Sequence, residues 1–256
     1  MSLSLPLDQQ IVLVTGAGRG LGAAIAQAFA REGAHVAINY RKSREAAEAL
    51  ASRLGDRARA FQADVRRPSE VERMLSDIQI ELGAPTTVVH NALNDYSFNG
   101  DARETLETLD WSHLNAQAET AVGGALNLIR AVRPAMKAKG FGRIVTIGTN
   151  LVQNPVVPYH DYTAAKAALL AFTRTAAAEL GPYGITVNMV SGGLLRTTDA
   201  SAGTPDAIFD LIAASTPLRR VTTPEEAADA VLFFASPWAR SVTGQNLIVD
   251  GGLVFG

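Results

Sequence analysis

A tyrosine and a lysine stand four positions apart in the alanine-rich run HDYTAAKAALL, residues 160 to 170. In a helix, positions i and i+4 share one face, so the Lys166 ammonium is expected near the Tyr162 ring. A neighbouring cation favours the phenolate, and this predicts a lowered Tyr162 pKa and proton transfer near neutral pH. A chance pairing on a solvated helix face is the alternative interpretation, so the elements around the pair must decide.

Short apolar runs alternate with longer amphipathic runs along the whole chain. On length and β-branched content, strands are predicted at 11–16, 35–40, 58–64, 86–92, 143–148, 185–190 and 246–251. Helices are predicted at 20–32, 43–54, 68–82, 111–138, 160–180 and 224–236; Pro68 and Pro224 suit the first turns of two of them. The alternation predicts an α/β fold with a parallel sheet covered on both faces.

Composition excludes several classes of function. The chain has 256 residues, 47% of them hydrophobic, which is enough for one sizeable core. A net charge of −2 provides no basic field for nucleic acid. The absence of cysteine excludes disulfides and thiolate chemistry, and no apolar stretch is long enough to span a bilayer. We expect a soluble cytoplasmic protein with no nucleic-acid or membrane partner and no metal site.

The first predicted strand runs directly into the glycine-rich stretch TGAGRGLGAAIAQAFA. Glycines at 16, 18, 20 and 22 leave backbone N–H groups open to an anion, and the following helix directs its positive end to the same place. The stretch therefore predicts a pyrophosphate site. It does not fit G-x-G-x-x-G from Gly16, because residue 21 is leucine.

The pattern that does fit is T-G-x-x-x-G-x-G, followed about 145 residues later by Tyr162-x-x-x-Lys166. With ADV at 63–65, HNAL at 90–93, GRIVTIGT at 142–149 and the terminal TGQNLIVDGG, the chain resembles the short-chain dehydrogenase/reductase family, and within it the 3-oxoacyl-acyl-carrier-protein reductases. The resemblance covers essentially the whole chain. It implies one Rossmann-type, doubly wound, seven-stranded domain over residues 1–256.

The same resemblance implies an activity and its catalytic residues. Tyr162 would donate a proton to a substrate carbonyl while a nicotinamide delivers hydride, and Lys166 would lower the pKa of Tyr162 and bind the nicotinamide ribose. Thr149 stands where the family has a serine, and its hydroxyl can make the same hydrogen bond. The implied protein is an NADPH-dependent carbonyl reductase acting on a small or acyl-carrier-linked ketone. An alcohol or sugar dehydrogenase and a catalytically weakened NADP-binding protein are the alternatives.

The family pattern also assigns a larger set of residues to the cofactor. They are Gly16, Arg19, Gly20, Leu21, Tyr40, Arg41, Ser43, Asp64, Val65, Asn91, Ala92, Leu195 and Thr197, with Tyr162 and Lys166. Residues 39–43, NYRKS, lack the carboxylate that NAD enzymes of this fold place after the second strand. Arg41, Ser43 and Arg19 can instead hold a 2′-phosphate, which favours NADP(H) over NAD(H). The alternative is that the cations at 41 and 42 only begin a solvated helix.

Three departures from the family pattern fall near the predicted site. Ala121 replaces a helical asparagine that supports a proton relay, unless Asn115 or Asn127 takes its place. Leu93 replaces a glycine, so a positive φ there would be strained. A glycine pair at 192–193 replaces Pro-Gly and loosens the root of segment 191–216, which is predicted to be a mobile flap.

The last expectations concern His90 and the two longest predicted helices. We interpret His90 as a packed strand residue and not as a catalyst.

The helices predicted at 111–138 and 160–180 are rich in small and apolar residues, and family members often pair these helices across a two-fold axis. We therefore expect a homotetramer.

Overall fold

Seven parallel strands form one sheet in the computed structural model, which describes residues 4–94, 98, 103–196, 198 and 200–255. The strands are β1 Ile11–Val14, β2 His35–Tyr40, β3 Ala58–Gln62, β4 Thr87–His90, β5 Gly142–Thr149, β6 Ile185–Gly192 and β7 Asn246–Val249. Their order is β3-β2-β1-β4-β5-β6-β7, so the direction of winding reverses between β1 and β4. This is the predicted doubly wound α/β fold, whose ligands bind beyond the carboxyl ends of the strands at such a reversal.

Eight α-helices connect the strands in the described chain. They are α1 Gly20–Arg31, α2 Arg44–Leu54, α3 Pro68–Glu81, α4 Trp111–Ala118, α5 Gly124–Lys139, α6 His160–Leu180, α7 Asp206–Ser215 and α8 Pro224–Ala235. Both predicted proline starts are confirmed, and at α8 Thr223 and Glu226 form a capping box. None of the described helices combines the length and the apolar character needed to cross a bilayer.

Alternate residues of the central strands supply the two halves of the core. Val12 and Val14 face the side covered by α1 and α8, where they meet Ile25 and Phe29. Leu13, between them in sequence, faces the other side with residues of α3 and α5. This alternation follows from the two-residue period of a strand, and it explains why β1 is apolar throughout.

The structure corrects two of the predicted elements. The helix expected over 111–138 is interrupted by a π-helical turn at Glu119–Gly123, which joins α4 to α5. Segment 191–216, predicted to be a mobile flap, contains α7, which was not among the predicted helices. The helix was not predicted because Gly203 and Pro205, which stand just before it, are residues typical of turns.

Candidate active site

The glycine turn after β1 has a backbone that few other residues could adopt. Gly16 and Gly20 have φ values of +62° and +54°. A Cβ on Gly22 would lie 2.4 Å from the Gly16 carbonyl oxygen, so a side chain there would collide with the turn itself. The predicted cradle of open backbone is therefore present at the start of α1.

Thr15 ties this turn to the end of β4. Its Oγ1 accepts hydrogen bonds from the backbone N–H groups of Asn91 and Ala92, each at 3.0 Å. In return, Asn91 Nδ2 donates to the carbonyl oxygens of Thr15 at 3.0 Å and Gly16 at 3.2 Å. Two predicted cofactor residues, Asn91 and Ala92, are thus held against the glycine turn by buried or half-buried hydrogen bonds.

The end of β2 lies against the same turn. A Cβ on Gly18 would stand 2.6 Å from Ser43 Oγ, so the serine side chain touches the residue that precedes Arg19. Arg41 is half-buried, and Tyr40 is buried under the Arg44 guanidinium. The structure therefore brings Ser43 and the glycine turn together beside two predicted cationic residues, Arg19 and Arg41.

Asn39 supports this corner through its backbone and side chain, a role that the sequence did not reveal. Its Oδ1 accepts from Gly16 N at 3.2 Å, and its Nδ2 donates to the Ala63 carbonyl at 3.0 Å. The Ala17 N–H bonds the Asn39 carbonyl at 2.9 Å. With all of these contacts, Asn39 joins β1, β2 and the end of β3 in one rigid corner.

The remaining predicted cofactor residues fall into three groups. The Asp64 carboxylate accepts a bidentate bond from Arg66, which lowers the pKa of Asp64, and buried Val65 accepts from Asn127 Nδ2 at 2.9 Å through its carbonyl. Leu21 is half-buried in the first turn of α1. Buried Leu195 accepts from Ser201 Oγ at 2.9 Å, whereas Thr197 lies outside the described residues.

Thr149, Tyr162 and Lys166 meet beyond the carboxyl end of β5. All three are buried, with 5%, 7% and 4% of their surfaces exposed. Thr149 makes a side-chain hydrogen bond with Tyr162, and its Oγ1 also accepts from Leu151 N at 3.3 Å. Lys166 Nζ donates to the Ile147 carbonyl at 2.6 Å and lies 5.7 Å from the centroid of the Tyr162 ring. The predicted i, i+4 face is therefore turned inward.

The expected lowering of the Tyr162 pKa is wrong for this arrangement. Burial raises the pKa of Tyr162 to about 12, and the hydrogen bond from Thr149 opposes only part of that effect. Burial also lowers the pKa of Lys166 to about 8. Loss of solvation disfavours the charged form of each group, and the four-residue spacing alone gave no sign of this burial.

An aromatic contact covers the Tyr162 ring. Phe98 packs edge-on against Tyr162 with ring centroids 5.2 Å apart, and against Tyr159 at 5.7 Å. The Phe98 N–H donates to the Ala200 carbonyl at 3.1 Å, which links the chain after β4 to the chain after β6. No motif predicted this cover, because it joins residues from three distant parts of the sequence.

The departures from the family pattern have different outcomes. Ala121 is buried in the π-helical turn, while Asn115 is exposed on α4 and Asn127 bonds Val65, so neither asparagine takes the relay position. The strain expected at Leu93 is absent, since Arg219 is the one non-glycine residue with positive φ in the described chain.

Gly193 stands in a closely packed position. A Cβ on it would approach Asn150 Nδ2 to 3.0 Å and Asp250 Cβ to 3.2 Å. Asn150 and Asp250 are buried and hydrogen-bonded at 2.9 Å, directly beyond Thr149. Gly193 therefore permits a close approach between the chain that follows β6 and the chain that follows β7.

Comparison with known proteins gives three findings of nearly full length. The family model described as "Enoyl-(Acyl carrier protein) reductase" matches residues 16–254. The 3-oxoacyl-[acyl-carrier-protein] reductase FabG of Escherichia coli K12 is 35% identical over 96% of this chain and 98% of its own, and the reductase of Synechocystis is 34% identical over 97% and 98%.

A solved structure shows the same fold. The gluconate 5-dehydrogenase of Burkholderia cenocepacia J2315, in complex with NADP and tartrate, superposes with a TM-score of 0.86. It is 29% identical, and the match covers 98% of this chain and 97% of that one. The likeness thus extends to both ends of the sheet.

Proposed function

Because the chain belongs to the short-chain dehydrogenase/reductase family of oxidoreductases, we propose that it is an NADPH-dependent carbonyl reductase with Tyr162 as the proton donor. The observation that carries the proposal is the buried contact of Thr149 with Tyr162 beside Lys166, at the sheet edge that also holds the glycine turn. A binding protein without turnover has no need of such a buried proton donor. We propose that residues 1–256 form one domain.

The residues of the glycine turn after β1 and of the segment after β2 fit NADPH, a dinucleotide with a 2′-phosphate. When bound, NADPH supplies the hydride. The open backbone at Gly16 and Gly20, with the N-terminus of α1, suits its pyrophosphate, and a side chain on Gly22 would collide with the backbone of that turn. Arg41, Ser43 and Arg19 would hold the 2′-phosphate, since guanidinium groups bind phosphate oxygens in charge-assisted pairs. The NADP in the Burkholderia cenocepacia enzyme supports this choice.

A short series of hydrogen bonds prepares Tyr162 as an acid. Leu151 N–H donates to Thr149 Oγ1, and the Thr149 hydroxyl in turn can donate to the phenol oxygen. The phenol then keeps its own proton for a substrate carbonyl oxygen. The raised Tyr162 pKa keeps that proton on the phenol at neutral pH until a substrate oxygen is in place to accept it.

Lys166 would act beside the tyrosine. Its Nζ is fixed by the Ile147 carbonyl at 2.6 Å, so the ammonium has a defined position at the end of β5. We assign it the contact with the nicotinamide ribose. With its pKa lowered to about 8, Lys166 is still mostly charged at neutral pH, and a bound ribose hydroxyl that accepts a hydrogen bond from the ammonium would favour that form further.

For the substrate, we propose a 3-oxoacyl thioester, as the names of the reductases of Escherichia coli and Synechocystis suggest. The helix α7, which follows the end of β6, exposes Ile208 and Leu211, and these suit an acyl chain more than a polyol. A sugar-acid dehydrogenase is the second candidate, favoured by the likeness to the gluconate 5-dehydrogenase.

A substrate panel distinguishes these functions. The purified protein is offered acetoacetyl thioesters, simple ketones and 5-ketogluconate with NADPH or NADH, and gluconate with NADP, and the nicotinamide absorbance is followed. We expect the highest kcat/KM for the thioester with NADPH. Turnover confined to the sugar acids would favour the dehydrogenase. Binding of NADPH without any turnover would favour a weakened binding protein, for which Ala121 is the supporting residue.

We also propose a homotetramer in the cytoplasm. One face of α6 exposes a series of alanines, namely Ala164, Ala167, Ala168, Ala171 and Ala178. Such a face allows another helix to approach closely, and Trp111 at the start of α4 is 71% exposed as well. Light scattering should give about four times 27.0 kDa; a mass of one chain at micromolar concentration would contradict the assembly, and cell fractionation tests the location.

A further inference from the structure

His90, the last residue of β4, is almost completely buried. Its Nε2 lies 2.9 Å from the Ala121 carbonyl oxygen and 3.2 Å from that of Thr120. A carbonyl oxygen can only accept, so Nε2 carries the ring proton. The Nδ1 atom is then the acceptor, and it faces Thr15 Oγ1 at 3.4 Å. The contacts therefore assign the ring proton to Nε2, and burial, which lowers the pKa of His90 to about 4, keeps the imidazole neutral at pH 7.

The two carbonyl groups belong to the π-helical turn between α4 and α5. In that turn the Gly124 N–H bonds the Glu119 carbonyl five residues back, in place of the four-residue register of an α-helix. The change of register rearranges the carbonyls on this side of the helix. The His90 N–H reaches them from the neighbouring strand and gives them a donor outside the helix.

The sequence around the imidazole fits its presence. A Cβ on Gly124 would lie 3.0 Å from His90 Cε1 and 2.8 Å from Val65 Cγ2. Only glycine at position 124 therefore leaves room for the ring between the strand and the helix. Ala121 has no polar side-chain atom, so it offers the imidazole only its backbone carbonyl.

The π-helical turn lies directly beside the proposed catalytic lysine. Ala121 and Ala125 pack in one buried cluster with Ala165 and Leu169 of α6, and Ala165 precedes Lys166. The positive charge of Lys166 disfavours protonation of the imidazole, and it therefore helps to lower the pKa of His90. On its other side, the imidazole meets Thr15, which carries the hydrogen bonds of Asn91 and Ala92.

We propose that His90 is a positioning residue that fixes the π-helical turn, and through it Lys166, in register with the cofactor-binding turn. It acts as a neutral Nε2–H donor and does not touch the reacting atoms. The inference rests on the proposed function, because it assigns Lys166 a place in turnover. It predicts that loss of the donor lowers turnover and leaves cofactor binding largely intact, since Thr15 keeps its bonds to Asn91 and Ala92.

Two substitutions of similar size separate the donor from the volume. His90→Gln places an amide N–H at about the reach of Nε2, whereas His90→Leu fills the space without a donor. We expect kcat of the Leu variant to fall by about tenfold or more, with the dissociation constant for NADPH, measured by fluorescence, within about threefold of the wild type. The Gln variant should recover kcat to within about threefold.

His90→Asn guards against a Leu variant that does not fold. Its shorter amide cannot reach the Ala121 carbonyl, so we expect it to lose turnover as the Leu variant does. The proposal is overturned if the Gln variant is as impaired as the Leu or Asn variant, if none is impaired, or if NADPH affinity falls in parallel with kcat.

A second measurement does not depend on activity. In the NADPH complex, hydrogen exchange of the amides at 119–124 should quicken in the Leu or Asn variant and remain at the wild-type rate in the Gln variant. If the wild type reduces no carbonyl, the proposed function fails, and this exchange pattern still decides whether His90 holds the turn. Equal exchange in all variants would overturn its role.

Discussion

The inner and outer parts of the candidate site are held together by different kinds of contact. The inner part lies at the ends of β1, β4 and β5, where Thr15, His90 and Lys166 are buried and bonded to backbone groups. The outer part, residues 193–196, 198 and 200–222, includes side-chain pairs at the surface, such as Arg196 with Asp206 at 3.3 Å. It also exposes Leu211 and Leu218, which are 64% and 60% accessible.

This difference separates the chemistry from the choice of substrate. A buried donor or acceptor that loses its partner costs about 1–3 kcal/mol, whereas an exposed ion pair contributes about 0–1 kcal/mol. The inner groups therefore cannot move without a large penalty. The exposed side chains of the outer segment can change at little cost, and they are where selectivity between an acyl thioester and a sugar acid is expected to arise.

The largest effect should come from the inner part, with Tyr162→Phe. General acids contribute about 10²- to 10⁴-fold to rate, so kcat should fall by that range while NADPH affinity stays within a few-fold. Tyr159→Phe is the matched control, because Tyr159 contacts the same Phe98 ring. Steady-state kinetics and a fluorescence titration give both quantities. A Tyr162→Phe protein with most of its turnover would end the proposed mechanism.

A smaller effect should mark the cofactor corner, with Arg41→Ala. A charge-assisted contact is worth about 1.5–3 kcal/mol, so NADPH affinity should fall by about 10- to 100-fold while NADH affinity hardly changes. The control is Arg44→Ala, which removes a guanidinium that stacks on Tyr40 and pairs with Glu48. If calorimetric titration shows equal losses for both cofactors, Arg41 does not recognise the 2′-phosphate.

The buried His90 should make the inner part sensitive to acid. Burial, with a smaller contribution from Lys166, lowers the pKa of His90 to about 4, from 6.5 in an unfolded chain. Between these values the unfolded chain binds the proton and the folded chain does not, so stability falls as the pH drops from about 6.5 to 4.

His90→Gln removes this titration. The free energy of unfolding of the wild type should fall by on the order of 2 kcal/mol more than that of the variant between pH 7 and pH 5. Urea denaturation at both pH values measures the difference, and the variant corrects for the other titrating groups, Asp64 among them. Parallel losses in the two proteins would show that folding does not lower the pKa of His90.

Sequence patterns predicted the sheet and most helices because hydrophobic periodicity and β-branched runs report local structure directly. The family resemblance grouped Thr149 with Tyr162 and Lys166, and the structure brings the three side chains together at the end of β5. The sequence patterns failed where the outcome depends on tertiary packing. Four-residue spacing carries no record of burial, so the rise in the Tyr162 pKa was missed.

The sequence patterns also failed to predict two other features, for related reasons. The backbone carbonyls of the π-helical turn contact His90, which lies on a strand 30 residues earlier in the chain. No hydrophobic periodicity encodes that contact. The cover that Phe98 forms over Tyr162 joins loops after different strands. Both arise from contacts between distant segments, which a single sequence does not display.

The smallest effect should come from the outer part, at Arg219. It has a φ of +55° in a turn whose N–H bonds Thr216 O at 2.8 Å, and its side chain bonds the Ala214 carbonyl at the surface. The left-handed region costs a non-glycine residue about 1–2 kcal/mol, part of which the greater freedom of unfolded glycine and the lost surface bond offset.

Arg219→Gly should therefore stabilise the protein by about 0.5–1 kcal/mol and raise Tm by about 1–4 °C. The matched control is Arg220→Gly, since Arg220 lacks the positive φ and pairs with Glu226, so this change should lower Tm. Scanning calorimetry of both variants measures the two shifts. Because the turn is outside the buried network, kcat with Arg219→Gly should match the wild type. A lowered Tm would show that the arginine contact outweighs the backbone strain, and a lowered kcat would place this turn among the groups that fix the chemistry.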